Sequence, residues 1–172
     1  MTEKVAKTHE NFVLPPNVVT RIDISRLVRE VERVDNEMTA AEVRARTGKA
    51  GQAQPLLSEQ LNTFLNQNEL KLDASSERTK IIKELRLLKD KVPVLHMTFA
   101  VTADAESLEE LTGWVRSTIH PQAVIDVGLQ PGLVAGVYLR TPNHVHDFSM
   151  RGALEGRHGL LVDELEALRG SK

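Results

Sequence analysis

The stretch VPVLHMTFAV, residues 92–101, is where the hydrophobic period of the chain changes from helical to alternating. Pro93 cannot continue a helix, and from Val94 the apolar residues Leu95, Met97, Phe99 and Val101 fall on one side of an extended strand, with His96 and Thr98 on the other. Reading outward toward the C-terminus, Asp104 is placed to cap a helix with Glu106 in its first turn. Leu108, Leu111, Val115 and Ile119 form its expected buried stripe, and His120-Pro121 stops it. A second strand is read over 124–128 and a third over 133–140. Between them, Gln130-Pro131-Gly132 carries the Pro-Gly pair of a type II turn. A short helix is expected over 149–155 and a last amphipathic segment over 160–168, after Gly156 and Gly159. Strand, helix and hairpin in this order form a small α+β unit with the helix covering one sheet face.

Reading outward toward the N-terminus, the chain is helical. Ile81, Ile82, Leu85, Leu88 and Val92 make one apolar face, and Arg78, Lys80, Lys83, Arg86, Lys89 and Lys91 read as a solvated basic face. Leu57, Leu61, Phe64 and Leu65 mark a shorter helix, and residues 47–55, TGKAGQAQP, read as a linker. Ile24, Leu27, Val31, Val34, Met38, Ala41 and Ala45 keep the alternating three- and four-residue spacing of a coiled-coil seam. That stripe fits an ordinary amphipathic helix packed within its own domain, or a helix that seats a partner. Residues 1–17 are largely polar, end in Pro15-Pro16 and read as a flexible arm. The expected organisation is therefore an arm over 1–17, a helical region over 18–92 and a small α+β domain over 93–172. The fold class is α+β: a helical half of about three helices, then a β-α-β-β unit with C-terminal helices.

Composition narrows the function. A net charge of −2 gives no electrostatic reason to expect nucleic acid. The absence of cysteine removes disulfides, thiol catalysis and Cys-containing zinc sites. No apolar run approaches the roughly 18 residues of a membrane-spanning helix, and the polar start of the chain has no signal-peptide core, so a cytoplasmic protein is expected, with any membrane contact indirect.

No catalytic set can be nominated. Thr47-Gly48-Lys49-Ala50-Gly51 lacks the spacing of a phosphate-binding loop and follows a helix where a strand is required. His144 and His146 would point the same way from an extended segment, as two metal ligands do. A third ligand, from His120 or His158, would have to be supplied by the fold, so they are weak metal candidates. No cofactor is expected, and the chain reads as a non-enzymatic binder.

Residues 127–154, VGLQPGLVAGVYLRTPNHVHDFSMRGAL, resemble the C-terminal region of the ATP synthase delta subunit family, which includes the oligomycin-sensitivity-conferring protein. The shared features are Pro131 in a turn, an apolar strand with the small residues Ala135 and Gly136, and the run Asp147, Ser149, Arg151 and Leu154. The strand at 94–101 and the helix at 104–119 sit in the family's order. The resemblance implies a non-catalytic subunit of the peripheral stalk, cytoplasmic and peripheral to the membrane. It implies protein partners: the long helix of the b subunit for the C-terminal part and the alpha subunit for the N-terminal part. Two departures stand out: the family's six-helix bundle has no room before Pro93, and Gln130 stands where an acid is common. Ala135 and Gly136 would admit a close backbone, Asp147 and Ser149 would cap the next helix, and Arg151 would pair with a carboxylate. The alternative reading is a stand-alone adaptor or homodimer held through the Ile24–Ala45 seam. A metal-dependent enzyme at His144 and His146 and a nucleic-acid module rank below it.

Overall fold

The computed structural model describes residues 8–46, 55–141, 144–155 and 157. The expected amphipathic segment at 160–168 and most of the linker at 47–55 lie outside them. The architecture is α+β: N-terminal helices precede a four-stranded mixed sheet and a helix. The chain divides into two compact units, one formed by 1–93 with 108–124, the other by 94–107 with 125–172.

In the helical unit, α1 (Arg21–Arg46), α2 (Glu59–Gln67) and α3 (Ser75–Lys91) bury their apolar stripes together. Helix α1 begins in a capping box. Asp23 accepts the Thr20 amide at 2.9 Å, and the Thr20 hydroxyl accepts the Asp23 amide at 3.3 Å, so two donors at the helix start are satisfied reciprocally. Ile24, Leu27, Val31 and Val34 are all but fully buried, Ala41 is buried, Met38 is half-buried and Ala45 is exposed. These side chains pack chiefly against α3 of the same chain. The adaptor or homodimer reading of the seam is therefore not favoured, because a stripe spent largely on its own core leaves little surface for a partner.

One member of the expected basic face is not on the surface. Arg78 is 0% exposed. Its Nε donates to Asp35 at 2.6 Å, Nη1 donates to the carbonyls of Leu72 and Asp73 at 3.0 Å each, and Nη2 reaches Glu42 at 3.5 Å. Arg78 precedes Ile81, Leu85 and Leu88 at spacings of three, seven and ten, which puts it on the buried stripe. By contrast, Arg86 is exposed and pairs with Glu32 of α1.

Of the flexible arm expected over 1–17, residues 1–7 lie outside the described residues, while 8–17 are packed together with 18–20. Phe12, Leu14, Pro15, Val18 and Val19 are buried, with Phe12 edge-on to Phe64 at 5.3 Å between centroids. The alternation of Phe12 and Leu14 with exposed Val13 supplies an apolar edge within the polar composition. The Arg116 guanidinium donates to the backbone of this segment, and burial pulls its pKa down to about 10, which leaves it charged at neutral pH. At the outer end, Glu84 accepts the His9 amide at 2.7 Å and contacts His9 Nδ1 at 2.9 Å. The backbone bond from His9, followed by its side-chain bond, holds the Glu84 carboxyl below the ordinary carboxylate value.

In the other unit the sheet order is β2-β1-β3-β4, with β1 (Val94–Phe99), β2 (Val124–Leu129), β3 (Gly136–Arg140) and β4 (Val145–Ser149). Strands β1 and β3, and β3 and β4, are antiparallel. The Val124 amide donates to Pro93 O at 3.0 Å and the Gln130 amide to Phe99 O at 2.8 Å. The constant offset of these bonds makes β2 parallel to β1. Helix α4 (Ala105–Thr118) lies between them in sequence, and Asp104 caps it by accepting the Ser107 amide at 2.8 Å. From Leu108 onward α4 clusters with the helical unit. Its buried residues are Thr112 and Val115, while Leu108 and Leu111 are half-buried. Ile119, expected on the buried stripe, follows the helix and is exposed.

The loop into β3 departs from the expected type II turn. Residues Pro131–Leu133 form a 3-10 turn, closed by the Leu133 amide on Gln130 O at 3.1 Å, and Gly132 has no positive φ. The left-handed residues come later. Val134 has φ 67° and ψ −54°, and the Ala135 amide donates to Leu133 O at 2.8 Å, closing a γ-turn around an exposed valine. A β-branched residue there is strained by about 1–3 kcal/mol. Val134→Gly is accordingly expected to stabilise the chain by about 1 kcal/mol, after the entropy glycine adds to the unfolded chain; an unchanged or lower urea midpoint would contradict it.

Candidate functional site

The registers sort the sheet into two faces. Phe99 pairs with Val137 and Val137 with Phe148; Met97 pairs with Leu139 and Leu139 with His146. Val127 and Leu129 lie on this same side, because Asp126 meets His96 on the other at 2.9 Å. One face is thus apolar on β1, β2 and β3, and on β4 carries Phe148 beside His146. The opposite face carries His96, Asp126, Tyr138, Arg140 and Asp147.

Burial on the apolar face falls from one end to the other. Leu95, Met97 and Ile125 are buried, Phe99, Val137 and Leu139 are half-buried, and Leu129 and Phe148 are 58% and 63% exposed. Val134 and Met150, 66% and 51% exposed, lie at this end of the sheet, where the Met150 amide donates to Ala135 O at 2.9 Å. Val101 and Leu154 are exposed as well; Val101 falls beyond the end of β1, which stops at Phe99. Large apolar side chains gathered on a hydrogen-bonded scaffold and left in water mark an interaction surface.

The junction of β3, β4 and α5 (Met150–Glu155) fixes this end. Gly136 has φ 91°, and a Cβ on it would meet Phe148 O at 2.3 Å, so β4 crosses directly over its α-carbon. The Ser149 amide donates to Asp147 Oδ1 at 2.8 Å, and Ser149 Oγ accepts the Gly152 amide at 3.0 Å, capping α5. The hydrogen bonds from Ser149, then the charge of Arg151, hold the Asp147 carboxyl below its ordinary value. A Cβ on Gly152 would meet Asp147 Oδ2 at 2.6 Å. Gly152 was missed in the sequence, though its place in the turn after a Ser cap was a signal. Gly136, Ala135, Asp147, Ser149 and Arg151 are thus brought together; Pro131 starts the 3-10 turn, and Leu154 is exposed on α5.

His144 and His146 lie on one face, with ring centroids 6.1 Å apart, and His146 stacks on Phe148 at 5.9 Å. Among the described residues no cluster of three or more His, Asp or Glu side chains could hold a metal ion. Also among them, no helix is long and apolar enough to cross a membrane.

No family model matches the chain. The chain is similar to an ATP synthase subunit delta. That protein, from Dichelobacter nodosus (strain VCS1703A), is 31% identical over 110 residues, which are 63% of this chain and 59% of the relative. The chain therefore spans less than two thirds of that relative's length.

Proposed function

We propose that this chain is a non-catalytic peripheral-stalk subunit of a proton-translocating ATP synthase, linking the catalytic head to the stalk. The apolar end of the sheet carries this reading: Leu129, Val134, Phe148 and Met150 are presented to solvent at one end of a four-stranded sheet. An amphipathic helix laid across that end would bury apolar area without rearranging the sheet. The similarity to a delta subunit supports the choice of complex. The proposed occupant of the sheet end is the long helix of the b subunit. The proposed contact of the helical unit is the alpha subunit, and the complex would keep the chain at the inner face of the membrane.

The test is the pair Leu129→Asp and Phe148→Asp. Both side chains are more than half exposed, so folding should be little changed. Affinity for the b subunit's soluble helical part should fall about 100-fold, as expected when central aromatic and aliphatic anchors are lost. Titration calorimetry reads this directly, and unaltered affinity in a folded double variant would remove the sheet end from the interface.

A further inference from the structure

The helical unit treats residues 9–19 as a receptor treats a peptide. Apart from a 3-10 turn at His9–Asn11 and the turn closed by the Val18 amide on Pro15 O, the backbone groups of this segment need other partners. Side chains supply them. Gln122 Nε2 donates to the carbonyls of His9 and Phe12 at 2.6 and 2.9 Å. Asn68 embraces Val13, accepting its amide and donating to its carbonyl, both at 2.8 Å. Arg116 donates to the carbonyls of Leu14, Pro15 and Val18, and Gln60 to that of Asn17 at 2.8 Å. Asn68 and Gln122 are themselves buried.

This is division of labour as in peptide recognition: main-chain bonds hold the segment, and pockets under alternate side chains, here Phe12 and Leu14, select it. Pro15-Pro16 fixes two φ angles, the second inside the turn closed by the Val18 amide on Pro15 O at 3.0 Å, and so lowers the entropy lost on binding. Beyond it, the α1 capping box ties the end of the segment to the helix start, because Asp23 accepts the amides of both Val19 and Thr20, at 3.2 and 2.9 Å.

We propose that this cleft is an exchangeable peptide site, filled in cis by residues 9–19 and, in a strap-exchanged dimer, by residues 9–19 of a second copy of this chain. The second copy offers the same carbonyls and the same two pocket side chains, so the exchanged contact is as complete as the internal one and forms a closed two-fold pair. The proposal concerns the helical unit and does not depend on what binds the sheet end.

Two experiments on the full chain decide it. The variant Phe12→Asp with Leu14→Asp empties its own cleft. It should remain helical by circular dichroism and bind a labelled synthetic peptide of residues 8–20 at least about 10-fold more tightly than wild type, whose cleft is already filled. Wild-type chain held at high concentration should yield a dimer by sedimentation, and excess peptide should suppress it. An unfolded variant overturns the proposal, because a receptor must outlast its occupant. So does a folded variant that ignores the peptide, or a wild-type chain that forms no dimer or one indifferent to the peptide.

Discussion

Replacing Arg78 with alanine is expected to cost about 3–5 kcal/mol of folding stability, the range for breaking a buried ion pair by removing one partner. The guanidinium is 0% exposed, while the side chain of Asp35 is 25% exposed, so the cation is the more deeply buried of the two. Its loss also removes the donors to the carbonyls of half-buried Leu72 and exposed Asp73, which water can partly replace. It also leaves a void between α1 and the start of α3. Arg78→Lys keeps the charge but not the planar fork that reaches Asp35 and two carbonyls at once, so it should fall between wild type and alanine. The double variant Arg78→Ala with Asp35→Ala should cost clearly less than the sum of the singles, because the pair acts as a unit. Urea denaturation of the five proteins, wild type and Asp35→Ala included, measures this; a loss below about 1 kcal/mol for Arg78→Ala would mean that the buried arginine does not hold the helices together.

Gly136→Ala should be nearly as damaging, for a different reason. At φ 91° an alanine is strained by about 1–3 kcal/mol before any contact is considered. Its Cβ would then lie 2.3 Å from Phe148 O and 2.9 Å from Ser149 Cα. Both are backbone atoms of the paired strand, so relief requires opening the β3–β4 ladder where Gly136 faces Ser149. We expect a loss of at least about 3 kcal/mol, strain and ladder opening together. The amides of Ser149 and Met150 should exchange faster than in wild type. Gly132→Ala is the control: nothing lies within 4 Å of its Cβ and φ is not positive, so its effect should stay within about 1 kcal/mol in either direction. If the two substitutions behaved alike, the close crossing at Gly136 would be refuted.

These residues also show where sequence reasoning reached and where it stopped. The change of period at Pro93 located the boundary between helices and sheet, and the apolar stripes located α1, α2 and α3, because burial imposes its spacing on the sequence. Arg78 was misplaced because charge was read before position. It lies on the three- and four-residue rhythm of Ile81, Leu85 and Leu88, and Asp35 lies four residues after Val31 on the facing stripe. Two opposite charges at core positions of neighbouring helices were the available signal. The fate of residues 8–20 had weaker local signs, since their partners at Arg116 and Gln122 are about a hundred residues away and could equally have been surface side chains. The turn before β3 failed because Pro-Gly fits several turns, and no propensity places a valine at positive φ. For the proposed docking end, the resemblance drew attention to Asp147, Ser149 and Arg151, which build the scaffold. The exposed side chains it presents, Leu129 and Phe148, were invisible because an apolar residue in a strand reads as core until the neighbours of both sheet faces are known.

The bond from Arg116 to Val18 O spans 98 residues, and that from Gln122 to Phe12 O spans 110. On a ribosome adding roughly 5–20 residues per second, Phe12, Leu14 and Val18 wait roughly 5–20 s for the side chains that will hold them. Helices α1 to α3 can assemble in that interval, from contacts already synthesised. Phe12, Leu14 and Val18 are therefore made before the helices of their unit, yet are among the last of its residues to be secured.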